Sequence, residues 1–286
     1  MPKEVAVVTG ANKGIGLAIV RALCKDFDGD VYLTARDVGR GQQAVQDLEK
    51  ENLHPKFHQL DITSKESIGK LKDFLEKNFG GLDVLVNNAA IAYKVNSTAP
   101  FTEQAEVTVA CNFFGTLDVC DALFPVLRPH SRVVNVASRR GTITLGKMGK
   151  ELVSKFRSST LIRSELIALM NQFVRDVKAG NHEAEGWLTR AYGTSKLGVI
   201  ALTAVQARTM AGDSREDILI NSCCPGLVAT DMNPKGTKTP DQGAETPVHL
   251  ALLPVNAGKP QGEFLGEKKV IPWLIDGAGM NYNTYE

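Results

Sequence analysis

Short apolar runs alternate with longer amphipathic stretches along almost the whole chain. The short runs are rich in β-branched residues, as buried strands are, and the longer stretches repeat apolar residues at helical spacing. The predicted strands are residues 5–8, 30–35, 56–60, 82–90, 131–136, 218–223 and a last one within 262–270, and the predicted helices follow residue 16 and span 41–51, 68–79, 102–127, 161–177, 192–207 and 240–253. This alternation predicts an α/β fold with a doubly wound parallel sheet and helices on both faces.

A glycine-rich turn joins the first strand to the first helix. Its glycines are Gly10, Gly14 and Gly16. Backbone N–H groups and the positive end of the helix dipole converge at such a turn, and glycine lets an anionic pyrophosphate approach the main chain. The turn therefore predicts a dinucleotide site and a Rossmann-type sheet. The alternative is an ordinary connection between a strand and a helix.

The charge at the end of the second strand indicates which dinucleotide binds. Arg36 stands about 20 positions after the last glycine, where an acidic residue favours NADH and a basic residue accepts the 2′-phosphate of NADPH. Lys13, inside the turn, supplies a second cation. The sequence thus predicts NADPH. Two alternatives stay open: a shift of one residue would place Asp37 at this position, and both cations could be solvated surface charges.

Three polar residues lie where the predicted elements meet the crevice. Asp61 can accept from an adenine amino group, or a carboxylate there can cap the helix near Ser64. Asn112 lies among apolar neighbours, so its amide must find partners, or it can loosen its helix and bind water. Ser138 follows the fifth strand at the edge where doubly wound sheets bind ligands, although a turn-forming serine would give the same pattern.

Tyr192 and Lys196 lie one helical turn apart on one face. Hydride addition to a carbonyl leaves an alkoxide that needs a proton, and a free tyrosine with a pKa of about 10 responds poorly near neutrality. A nearby ammonium stabilises the phenolate and lowers that pKa. The pair therefore predicts a proton donor and its activator, with a chance pair on a helix as the alternative.

A sharp turn at Pro225-Gly226 follows the sixth strand, on the edge of the sheet where the nicotinamide should lie. The backbone N–H of Val228 could hold the carboxamide of that ring. After the fourth strand, small Ala89 and Ala90 permit close approach of a ribose or of neighbouring backbone.

The composition of the chain limits the kinds of molecule that it is expected to bind. The 286 residues are 43% hydrophobic, which is ample for a core, and the chain shows no linker or repeat, so one domain over residues 1–286 is expected. With 33 basic and 32 acidic side chains, no overall field attracts nucleic acid or an anionic membrane, and a small-molecule partner is expected.

We see no signal peptide and no apolar run near the roughly 20 residues that span a bilayer. Five cysteines without metal-ligand spacing predict reduced thiols in the cytoplasm and no metal.

Several motifs together resemble the short-chain dehydrogenase/reductase family in order and spacing. They are Thr9-Gly10, Gly14, Gly16, Asn87-Asn88-Ala89-Ala90, Asn112, Ser138, Tyr192, Lys196 and Pro225-Gly226. Segments such as Gly-Ala-Asn-Lys-Gly-Ile-Gly and Cys-Cys-Pro-Gly are most similar to those of cytosolic, monomeric, NADPH-dependent carbonyl reductases. The resemblance covers nearly the whole chain.

The resemblance implies hydride transfer from NADPH to ketones, aldehydes and quinones. It also implies that Tyr192 donates the proton and that Lys196 lowers its pKa and binds the nicotinamide ribose. Ser138 would orient the carbonyl and Asn112 would hold a relay water. The predicted cofactor contacts are Gly10, Asn12, Lys13, Gly14, Ile15, Gly16, Arg36, Asp61, Ile62, Asn88, Ala89, Tyr192, Lys196, Pro225, Gly226, Val228 and Thr230.

The interval between Ser138 and Tyr192 is far longer than is usual in the family. Residues of about 146–185 are therefore predicted to form a helical insertion before the tyrosine helix. In oligomeric relatives the helices of the site form the subunit interface, and an inserted amphipathic helix could cover that apolar surface, which predicts a monomer. The alternative is that the insertion binds a partner.

The chain departs from the family pattern in two places. Arg139 and Arg140 follow the serine, which suggests tolerance for anionic carbonyl substrates or simply exposure to solvent. Leu227 stands where close relatives carry a bulky aromatic residue. Two other functions stay open: a dinucleotide-binding regulator without catalysis, and a steroid or alcohol dehydrogenase working in the oxidative direction.

Overall fold

An eight-stranded sheet forms the centre of the computed structural model, which describes residues 3–94 and 96–273. The strands are β1 (Glu4–Val8), β2 (Gly29–Ala35), β3 (Lys56–Gln59), β4 (Leu82–Asn87), β5 (Leu127–Val136), β6 (Leu219–Cys224), β7 (Phe264–Gly266) and β8 (Lys269–Val270). Their order is β3-β2-β1-β4-β5-β6-β7-β8, and every pair of neighbours is parallel except β7 with β8. The doubly wound sheet is thus confirmed, with the strand order reversing between β1 and β4.

Helices lie where the hydrophobic pattern predicted them, and one further helix, α6, was not predicted. They are α1 (Gly14–Asp26), α2 (Val38–Glu49), α3 (Lys65–Phe79), α4 (Phe101–Val109), α5 (Thr116–Leu123), α6 (Arg139–Leu145), α7 (Lys150–Arg157), α8 (Arg163–Ala179), α9 (Ala191–Met210) and α10 (Pro240–Ala251). The start predicted for α2 was three residues late, because Asp37 caps the helix by accepting the N–H of Arg40 at 2.8 Å.

Both faces of the sheet are buried, and β1 shows how the sequence achieves this. Successive side chains of a strand point to opposite faces. Ala6 and Val8 lie in one core cluster with α1, α2 and α10, whereas Val5 and Val7 lie in another with α3 and α5. A continuous apolar run is therefore needed, as in other parallel sheets.

A π-helical turn at Ala110–Gly115 lies inside the long helix predicted over residues 102–127. The turn separates α4 from α5, and the chain then enters β5 at Leu127 after a short 3₁₀ turn. The π turn centres on Asn112, whose buried amide bonds to groups outside the helix. The predicted long helix is confirmed as an unbroken helical stretch over Phe101–Val126, with a π turn inside it, and such π turns are frequent at functional sites.

The stretch Phe101–Val126 is 26 residues long with a mean hydropathy of 1.4, so by length and composition it could cross a membrane. The sequence analysis expected no such run. Here 56% of its most apolar window is buried inside the protein, and α4 packs against α8 and α9. The core helix of a globular protein passes the same test.

The helix predicted for residues 161–177 is confirmed as α8. Its buried side chains include Leu166, Met170 and Phe173, and the helix packs against α4 and α9. The Met170 sulfur lies 2.8 Å from the position that a Cβ on Gly198 of α9 would occupy, which shows how closely α8 and α9 approach.

The last predicted strand is confirmed in part. Within residues 262–270 the chain forms β7 and then turns back as β8, so the outer edge of the otherwise parallel sheet is an antiparallel hairpin. Of the tail from Ile271 onwards, residues 274–286 lie outside the part of the chain that the structure describes.

Candidate active site

The carboxyl ends of the parallel strands meet along one edge of the sheet, and the predicted site residues lie there. The glycine turn follows β1, Ser138 follows β5 and Pro225 follows β6. Tyr192 and Lys196 lie in the first turns of α9, and Asn112 lies in the π turn beside it. The fold therefore brings together residues that are far apart in the sequence.

The glycine turn packs directly on the end of β4. Gly10 and Gly14 have φ values of +62° and +58°, in the left-handed region that favours glycine. A Cβ on Gly10 would lie 2.8 Å from the Cα of Ala89, and one on Gly16 would lie 2.5 Å from Nδ2 of Asn88. A larger residue at either position would push the turn away from β4.

Thr9 fixes the two segments to each other, a role that the sequence analysis missed. Its hydroxyl accepts the backbone N–H groups of Asn88 at 3.0 Å and Ala89 at 2.9 Å. The Asn88 amide in turn donates to the carbonyl oxygens of Thr9 and Gly10. The only available signal was a threonine at the carboxyl end of a predicted strand.

The first turn of α1 is suited to an anion. Lys13 is its N-cap residue and makes no side-chain capping bond, and the first turn contains no acidic residue. The positive end of the helix dipole is therefore not offset from within the helix. Lys13 pairs with Asp231 at 2.7 Å, between two exposed side chains.

Arg36 is exposed at the end of β2, as the NADPH prediction requires. The alternative placed Asp37 there. That carboxylate caps α2 and also pairs with the Arg40 side chain at 3.4 Å, so it is already engaged. Bonding to the backbone of Arg40 is the largest influence that lowers the pKa of Asp37.

Asp61 and Ile62 follow β3 beside the π turn. The Asp61 carboxylate accepts both the N–H and the hydroxyl of Thr63, at 2.9 and 2.7 Å. It does not cap α3, because the hydroxyl of Ser64 does so. Ile62 packs on Gly115, where a Cβ would lie 3.0 Å from Cδ1 of the isoleucine.

The loop that follows β6 folds over the glycine turn. Thr230 approaches to 3.3 Å from the position that a Cβ on Gly14 would take, and Val228 and Ile15 both pack around Gly243 of α10. Gly226, just after Pro225, has a φ of +91°. The predicted contacts of this loop thus lie next to those of the turn, in which Asn12 is partly buried.

Ser138 lies near Tyr192, and its side chain influences the pKa of the phenol. The serine is also the N-cap of α6, where its hydroxyl oxygen accepts the N–H of Arg140 at 3.1 Å. Burial raises the pKa of Tyr192 to about 12 and the nearby Cys224 adds to the rise, while the side chain of Ser138 and the charge of Arg140 oppose it.

Lys196 is buried, with 3% of its surface exposed. Its ammonium donates to the carbonyl oxygen of Val136 at 2.7 Å and lies 5.9 Å from the centroid of the Tyr192 ring. Burial lowers the pKa of Lys196 to about 8. Burial is the largest influence on both groups, and the lowering of the Tyr192 pKa by Lys196 stays a prediction.

Asn112 connects α9 to the chain after β4. Its Oδ1 accepts the N–H of Ile91 at 2.8 Å, and its Nδ2 donates to the carbonyl oxygen of the same residue at 2.9 Å. The amide also donates to the hydroxyl of Ser195 at 3.0 Å. Ser195, which the sequence analysis did not single out, donates to the carbonyl oxygen of Tyr192.

The sequence resembles known proteins over nearly its whole length. The sequence model of the short chain dehydrogenase family matches residues 4–164 and 177–241, and the residues between the two parts lie within α8. Carbonyl reductase (NADPH) 1 of Homo sapiens is 57% identical over 272 residues, which are 94% of this chain and 98% of that protein. The protein of that name from Bos taurus is 56% identical over 271 residues, with 94% and 98% covered.

Solved structures resemble the fold as well. The structure of salutaridine reductase from Papaver somniferum matches with a TM-score of 0.82 at 32% identity, over 92% of this chain and 99% of that one.

Proposed function

Since the chain belongs to the short-chain dehydrogenase family, we propose that it reduces carbonyl compounds to alcohols with NADPH. The observation that carries the proposal is the placement of Ser138 and Tyr192 at one edge of the sheet, with the buried ammonium of Lys196 5.9 Å from the centroid of the tyrosine ring. Relatives more than half identical over almost the whole length are named carbonyl reductases that use NADPH, which supports the same reaction.

The residues around the glycine turn fit a dinucleotide phosphate. A Cβ on Gly10 would fill space next to Ala89, and α1 begins with no acidic side chain. We assign the pyrophosphate to this turn and the 2′-phosphate to Arg36, with Lys13 as a second cation. Asp61 and Ile62 border the adenine side, and Asn88, Ala89, Val228 and Thr230 border the rest.

NADPH, when bound, supplies the hydride that adds to the carbonyl carbon. The hydroxyl of Ser138 donates to the carbonyl oxygen and orients it. Tyr192 donates the proton that the oxygen needs once negative charge develops there. A pKa raised to about 12 keeps the phenol of Tyr192 protonated at neutral pH, so it carries a proton to donate at the start of each turnover.

Lys196 and Asn112 support the roles of Ser138 and Tyr192. The ammonium of Lys196 supplies positive charge that stabilises a developing phenolate, and it is assigned to the nicotinamide ribose. Asn112 holds the π turn against Ile91 and Ser195, and we assign to that turn the relay water that returns a proton to the site.

We further propose that the protein is a cytoplasmic monomer whose partner is a small carbonyl substrate. The position of α8 against α4 and α9 supports the monomer, because it covers helices next to the site with part of the same chain.

The test is to follow NADPH and NADH consumption by the purified protein with quinones, aromatic aldehydes and ketosteroids. We expect carbonyl-dependent consumption with a preference for NADPH. A protein that binds NADPH and consumes none with any of these carbonyl compounds would contradict the proposal and favour a regulator without catalysis.

A further inference from the structure

Arg140 is an exposed cation next to the reacting groups. Its backbone N–H binds the hydroxyl of Ser138 at 3.1 Å. Its carbonyl oxygen lies 3.2 Å from the position that a Cβ on Gly193, the residue after Tyr192, would take. The two contacts fix Arg140 between the serine and the tyrosine, at the mouth of the site.

The positive charge of Arg140 is near enough to Tyr192 to influence its phenol. Burial is the largest influence on the pKa of Tyr192 and raises it, whereas the charge of Arg140 acts in the opposite direction. Arg139 lies elsewhere: one of its guanidinium nitrogens is 3.4 Å from the position that a Cβ on Gly266 of β7 would take, and its charge acts on Glu267. Adjacent arginines thus point to different places.

Two cations in and beside the loop after β6 occur in ion pairs. Lys13 pairs with Asp231 at 2.7 Å, and Lys238 pairs with Glu267 at 2.9 Å. Within residues 3–94 and 96–273 no acidic side chain is paired with Arg140. A guanidinium that has no carboxylate partner among the described residues is suited to bind one from the substrate, through two parallel hydrogen bonds.

Exposed apolar side chains also bear on the kind of substrate. Leu227 and Met232, in the loop after β6, are large hydrophobic residues with 42% and 45% of their surface exposed. The loop begins after Cys224, the last residue of β6, and because Cys223 pairs with Val136 at the end of β5, it starts beside the segment that carries Ser138 and Arg140. An exposed apolar wall of this kind is suited to the hydrocarbon part of a substrate.

We propose that Arg140 binds a carboxylate on the substrate, so that the enzyme prefers carbonyl compounds with an apolar body and a carboxylate group. The inference rests on the proposed carbonyl reduction and specifies its substrate class. Arg140 is a specificity residue in this account, because it holds a part of the substrate that does not react.

The test uses pairs of substrates that differ in one charge. Para-formylbenzoate and its methyl ester are the shortest pair, and homologues with a methylene spacer before the carboxylate extend the series. The proteins are the wild type, Arg140→Gln, Arg140→Lys and, as the matched control, Arg139→Gln. The readout is kcat and KM for each acid and its ester at low and high ionic strength.

We expect the wild type to favour at least one acid over its ester, with the preference in KM and weaker at high ionic strength. Arg140→Gln should lower the ratio of kcat/KM for acid to ester about tenfold, Arg140→Lys should restore part of it, and Arg139→Gln should keep it within about twofold. Equal ratios in the wild type and Arg140→Gln would overturn the inference. If the ratios are equal but the wild type still reduces the esters, the proposed carbonyl reduction stands without this inference. A wild type that reduces none of the acids or esters contradicts the proposed function itself.

Discussion

The ammonium of Lys196 lies 5.9 Å from the centroid of the Tyr192 ring, inside the protein. Burial acts on the two groups in opposite directions: it lowers the pKa of Lys196 to about 8 and raises the pKa of Tyr192 to about 12. The phenol therefore keeps its proton throughout the physiological range, while the charge on the lysine is lost just above it.

This difference in pKa predicts how kcat/KM changes at alkaline pH. As the pH rises through about 8, Lys196 loses its proton and its positive charge, and Tyr192 stays protonated. We expect kcat/KM for carbonyl reduction to fall up to about tenfold for each further pH unit. Lys196→Arg, whose guanidinium stays protonated, should move this fall to higher pH in whatever activity it retains. If the rate of Lys196→Arg falls over the same pH range as that of the wild type, the titration of another group causes the fall.

Arg36 should decide between the two nicotinamide cofactors. Arg36→Asp removes a partner of the 2′-phosphate and adds a repelling charge, so the preference for NADPH over NADH in kcat/KM should fall about ten- to a hundredfold. Arg40→Gln is the matched control, because Arg40 is occupied with Asp37. A loss of preference in Arg40→Gln and not in Arg36→Asp would place the phosphate on Arg40.

Asn112 should contribute to stability as well as to the site. Asn112→Ala leaves the N–H and carbonyl groups of Ile91 without their partner, and we expect it to lower the free energy of unfolding by about 1–3 kcal/mol in urea. Cys111→Ala, in the same π turn, makes a suitable control and should cost less. Equal effects of the two changes would show that the amide bonds do not hold the turn.

The packing of α8 should keep the protein monomeric. In light scattering after size-exclusion chromatography, we expect the mass of one chain at micromolar concentration. Leu166→Glu places a charge in the buried face of α8 and should cause association or loss of thermal stability, whereas Ala168→Glu, on the exposed face, should behave like the wild type. A wild type that elutes as a dimer would contradict this prediction.

Features set by local sequence were predictable. The apolar runs gave the strands, the glycines gave the turn before α1, and the spacing of Tyr192 and Lys196 gave a shared helical face. The amphipathic pattern within the insertion gave α8. In each case neighbouring residues alone decide the structure.

Features set by distant contacts were not predictable. The π turn centres on Asn112 because that amide bonds to Ile91 and Ser195, which are far from it in the sequence. The pKa values of Tyr192 and Lys196 depend on burial, which only the packed structure defines.

The central claim is that Tyr192 donates the proton in a carbonyl reduction driven by NADPH. Its most direct test is the rate of carbonyl-dependent NADPH oxidation by Tyr192→Phe, with NADPH affinity measured by titration and with Tyr32→Phe, a buried tyrosine of β2, as the matched control. We expect a loss of at least about a hundredfold in kcat with NADPH affinity nearly unchanged, and a control close to the wild type. A Tyr192→Phe variant that keeps most of the wild-type rate would contradict the account.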